Sequence, residues 1–75
     1  MKLLEARAKL KELANGNYRN LMYEVTEHRD SVEVKCSVYV HGQDYHHGET
    51  WERALESMEY AIYPERKPSQ EVEDL

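Results

Sequence analysis

The sequence predicts a small α+β fold: a two-layer α–β–β–β–α domain, with two helices packed on one face of a three-stranded antiparallel sheet. Three observations predict it. Apolar residues recur at helical spacing near both ends of the domain, the period drops to two between Tyr18 and His41, and turn residues stand where the period changes.

Leu3, Ala6, Leu10 and Leu13 form one stripe, so a helix is expected from about Lys2 to Ala14, closed by Asn15-Gly16-Asn17. From Tyr18 to Thr26 the alternation places Leu21, Tyr23 and Val25 on one face of a strand and Asn20, Met22, Glu24 and Thr26 on the other. Residues 27–31, all charged or polar, read as a hairpin loop. In the next strand Val32, Val34, Cys36, Val38 and Val40 are expected inward, and Glu33, Lys35, Ser37, Tyr39 and His41 outward. Cys36 then acts as a small core hydrophobe. Gly42-Gln43 suits a two-residue type II′ turn. Asp44–His47 would return as a short third strand beside Val38–His41, a loop being the alternative.

Thr50 is a suitable N-cap for the second helix, with Glu49 and Glu52 near its positive dipole end. Trp51, Ala54, Leu55, Met58, Ala61 and Ile62 supply a continuous apolar face, and Pro64 ends it. The expected organisation is one domain over residues 1–64 and a mobile acidic tail over 65–75.

Composition bounds the function. Seventy-five residues allow one domain, whose core is marginal because so short a chain buries only roughly 60 % of its unfolded surface. One cysteine excludes an internal disulfide, and with no apolar run of membrane length or signal-like segment the expected location is cytoplasmic. The net charge of −5 arises entirely from residues 49–75, where eight acidic side chains meet three basic ones. The start leans the other way: Lys2, Arg7, Lys9, Lys11 and Arg19 stand against Glu5 and Glu12.

No phosphate loop, dinucleotide fingerprint or nucleophile–base pair is present, so no enzyme activity and no cofactor are expected. His41, His46 and His47 flank the turn, and His41 and His46 would face each other across a hairpin there. Their spacing matches no zinc pattern, and no metal site is predicted.

The acidic stripe Glu49, Glu52, Glu56 and Glu59 on the second helix is the leading candidate site, with Tyr60 and Tyr63 as aromatic anchors. It predicts a non-enzymatic interaction protein that binds a basic surface on a protein partner, such as part of a nucleic-acid-handling complex. The alternative is RNA or DNA binding through the basic first helix and the open sheet face at Lys35, Tyr39, His41 and Tyr45, since tyrosines beside lysine form a stacking platform. A homodimer pairing through the open sheet face or a helix is the third expectation.

The order α–β–β–β–α resembles that of double-stranded-RNA-binding domains, although Thr50-Trp51-Glu52-Arg53-Ala54-Leu55-Glu56 is acidic where those domains carry a basic cluster. The segment Gly48-Glu49-Thr50-Trp51-Glu52-Arg53-Ala54-Leu55-Glu56 is similar to the strand-to-helix stretch of HicB-type antitoxins, which implies an antitoxin-like homodimer. Size, acidity and tail together resemble small accessory proteins of bacteriophages, including anti-CRISPR inhibitors. That resemblance implies an inhibitor acting in the host cytoplasm.

Overall fold

The computed structural model describes residues 1–68. The elements are α1 (Leu3–Ala14), β1 (Arg19–Glu27), β2 (Val32–Val40), β3 (His46–Gly48) and α2 (Trp51–Ile62), followed by a 3-10 turn at Pro64–Arg66. The sheet is antiparallel in the order β1-β2-β3. Ala6, Leu10, Leu13 and Ala14 of α1 meet Trp51, Ala54, Leu55 and Met58 of α2 over Cys36, Val38 and Val40 of β2, and these residues make one core.

Each helix is bounded by local chemistry. The Lys2 N–H donates to the Glu5 carboxylate at 2.8 Å, which satisfies one free donor at the start of α1. Asn15 closes α1 in the left-handed conformation (φ 49°), its N–H donating to the Lys11 carbonyl. At α2 the Thr50 hydroxyl accepts the Arg53 N–H at 3.2 Å, and the chain leaves through Tyr63 into Pro64.

The α–β–β–β–α layout is the expected one, and the departures from it are local. Leu3 is 53 % exposed and Ala61 is exposed, because each sits at the margin of its apolar stripe, beyond the reach of the facing helix. The turn after β2 falls one residue early. Gln43 N–H donates to the Val40 carbonyl at 2.9 Å and Gly42 takes φ +92° at the third position, as in a type II turn rather than type II′. The return strand is therefore delayed to His46–Gly48 and pairs with Cys36–Val38, not with Val38–His41. Gly48 is required where it stands. A Cβ there would lie 2.6 Å from the Arg53 Cβ and 2.9 Å from the Ala54 nitrogen, so only glycine lets β3 run this closely into α2.

Two further reversals concern the sheet. Ser37, expected outward on open ground, is fully buried: it sits between Met22 and His47 in register, and its hydroxyl shares a 2.8 Å hydrogen bond with His47 Nδ1. Conversely Tyr23, Val25 and Val32, expected inward, are exposed, because β1 and β2 continue past the helices as a bare two-stranded ribbon. Within the expected tail, Arg66 is held by Glu59 at 3.1 Å and lies 3.9 Å from the centre of the Tyr63 ring; residues 69–75 of that tail lie outside the described residues.

Candidate interaction surface

The acidic stripe does not act as one face. Glu49 precedes the N-cap Thr50 and so is not on the helix. Glu52 is paired with the Met1 amino group, and that hydrogen bond is the main reason its carboxyl lies below the ordinary carboxylate range while the amino group is raised. Glu59 lies between Lys9 Nζ at 3.5 Å and Arg66 Nη1 at 3.1 Å. Tyr63 packs against the core beneath the Arg66 guanidinium. Three of the six expected contact residues are thus engaged within the chain.

The other three come together. Glu49, Glu56 and Tyr60 line a cleft with His47, Gly48, Arg53 and Ser57. The Tyr60 hydroxyl donates to the Glu56 carboxylate at 3.2 Å. Burial, and then the Glu56 charge, push its phenol above the ordinary value.

On the open face of the sheet the expected residues divide as well. Lys35 is exposed and stands 4.0 Å from Glu24 across the β1–β2 ladder. It lies four positions before Tyr39, about 13 Å along a strand, so it does not join the aromatic group. His41 is exposed in the turn. Tyr39 and Tyr45 pack at 4.7 Å between ring centres, Tyr18 adds to one end at 6.1 Å, and His47 stacks on Tyr45 at 6.4 Å and 6°. The result is a strip, Tyr18–Tyr39–Tyr45–His47, that crosses the sheet. Sequence reasoning missed Tyr18, although it shares the parity of Asn20 and Met22. It missed His47 because the register of β3 depends on the turn.

The histidines do not cluster. His46 and His47 are adjacent in a strand and so point to opposite faces. His46 Nδ1 meets the Ser57 hydroxyl of α2 at 2.7 Å, whereas His47 bonds Ser37 on the open side. His46 pairs with Val38 and does not face His41. Among the described residues no three His, Cys, Asp or Glu side chains are placed to hold a metal ion. No helix there is long and apolar enough to cross a membrane.

Comparison with known proteins finds no matching family model, no matching curated protein and no matching solved structure.

Proposed function

We propose that this chain is a non-enzymatic interaction module that binds a protein partner through the tyrosine strip and the acidic cleft as one surface. The observation that carries the reading is the position of His47. It stacks on Tyr45 at the end of the strip and also lines the cleft with Glu49, Glu56 and Tyr60. Tyrosine presents a large, rigid ring with a polar tip, and aromatic residues are enriched where proteins bind one another. The carboxylates of Glu49 and Glu56 would receive a basic side chain of the partner. This keeps the acidic recognition expected from the sequence but moves it from the helix stripe to the junction of β3 and α2. Protein is favoured over nucleic acid because the cation expected to serve the strip, Lys35, is remote from it and faces Glu24, and the cleft at its end carries the carboxylates of Glu49 and Glu56 against the single cation of Arg53.

The test is capture of binding proteins by the tagged chain and by two variants, Tyr45→Ala and Glu56→Lys, with circular dichroism as the control on folding. Loss of an interface hot spot costs about 2 kcal/mol, so each variant is expected to weaken capture by roughly 30-fold at unchanged fold. Full retention by both variants, or removal of everything captured by nuclease, would overturn the proposal.

A further inference from the structure

The bare ribbon carries its own complement. β1 is a nine-residue edge strand, uninterrupted by proline or bulge, and its register with β2 is continuous from Arg19↔Val40 to Glu27↔Val32. Two hydrogen bonds at the ends of the ribbon fix which way its main chain points. His41 N–H donates to the Tyr18 carbonyl, and His28 N–H donates to the Ser31 carbonyl, each at 2.8 Å. In an antiparallel ladder the bonded residues alternate with residues whose N–H and C=O point away. Tyr18 and His28 point toward β2, so Arg19, Leu21, Tyr23, Val25 and Glu27 direct their N–H and C=O groups to the free edge. Such an edge is a template for another strand.

A groove of about 560 Å³ runs beside that edge under α1, lined by Leu4, Ala8 and Leu21, by the cations of Arg7, Lys11 and Arg19, and by Tyr18 and Asn20. The groove sets the apolar side chains of Leu4, Ala8 and Leu21 beside three cations, and the far half of β1 offers the matching chemistry: Val25, 56 % exposed, followed by the exposed carboxylate of Glu27.

We infer that β1 pairs antiparallel with β1 of a second copy of this chain, about a two-fold axis at Tyr23, to make a continuous six-stranded sheet. With this register Arg19 meets Glu27 of the other copy, Leu21 meets Val25, and Tyr23 meets its own counterpart. All five outward-pointing residues then fall in hydrogen-bonded pairs. Shifting the register by one step of the same parity breaks this match, setting Arg19 against Val25 or Leu21 against Glu27. The interface is isologous, as a two-fold dimer requires. Each copy's Val25 and Glu27 enter the other's groove, which covers part of the apolar surface that the helices leave bare. The pairing uses the edge and helix-side face of β1 and touches the tyrosine strip only at Tyr18, which also lines the groove; Tyr39, Tyr45, His47 and the acidic cleft stay open, so it stands or fails independently of the proposed partner site.

Sedimentation equilibrium of the intact chain tests the pairing, and a dimer is expected. Arg19→Glu or Glu27→Arg alone sets like charges against each other and should weaken dimerisation at least tenfold, while the double exchange R19E/E27R restores it. A monomer at every concentration, or a double exchange no better than the singles, overturns the inference. Cysteine substitution provides a second reading on exposed positions. Hydrogen-bonded antiparallel pairs hold their Cα atoms about 5.5 Å apart, within disulfide range. In a Cys36→Ala background, which removes the native free thiol directly opposite position 23 across the β1–β2 ladder, Tyr23→Cys should therefore cross-link to a dimer on mild oxidation. Val25→Cys, displaced about 13 Å from its counterpart, should not. Equal cross-linking at both positions, or at Val25→Cys alone, also overturns it.

Discussion

The two ends of β2 share one face of one strand and have opposite surroundings. Val38 is fully buried beneath α1 and α2; Val32, six residues earlier and on the same side, is 59 % exposed. Their alternation in the sequence is the same. The difference lies in what stands above them. α2 begins at Trp51, whose ring lies 6.2 Å from that of Tyr23, and beyond that row no helix among the described residues covers the ribbon. Alternation therefore reports which way a side chain faces, while cover depends on where another element ends.

The strongest way to break this comparison is to remove volume from the covered end. Leu10→Ala deletes a fully buried side chain in contact with both layers and should cost about 2–5 kcal/mol, read as a shift in the urea midpoint. A loss below 1 kcal/mol would mean that the core between the helices and β2 is not the principal source of stability.

A gentler pair isolates the strand itself. Val38→Thr buries a hydroxyl among apolar neighbours and should destabilise by about 1–3 kcal/mol. Val32→Thr, the same chemistry on the bare end, should change monomer stability by less than about 0.5 kcal/mol. Equal effects would show that the ribbon is covered in solution, and their concentration dependence would tell whether a second copy covers it.

The smallest effect concerns Cys36, at the border of the covered region. Burial pushes its thiol above the ordinary value of 9.0. The folded chain thus keeps a proton that the unfolded chain releases. This contribution is intact below about pH 9 and is lost as pH rises through the folded value. Wild type should therefore lose stability relative to Cys36→Ala as pH rises above about 8, and the native thiol should react slowly with an aromatic disulfide reagent. Parallel pH profiles would indicate a thiol open to solvent.

Much of the candidate surface was legible only in pieces. Tyr39, Tyr45, Glu49, Glu56 and Tyr60 were identifiable by type and parity, but under two competing sites. Their union at His47 depends on Gly42 closing a type II turn and delaying β3 by two residues. Glu52 and Glu59 were misread for another reason. Their partners lie outside the helix, the Met1 amino group and Lys9 in a distant segment and Arg66 in the turn that follows α2, and helical spacing says nothing about them.

The sequence by itself determined the order of elements, the facing of β1 and β2 and the ends of the two helices. Those follow from local physics: the 3.6 and 2.0 periods, the Thr50 cap, Asn15 in the left-handed region and Pro64 after α2. Only the tertiary structure decided which inward residues are covered, which carboxylates remain unpaired, and where the tyrosine strip meets the acidic cleft. Each of those depends on how far one element extends over another, a distance set by packing between parts of the chain that periodicity treats separately.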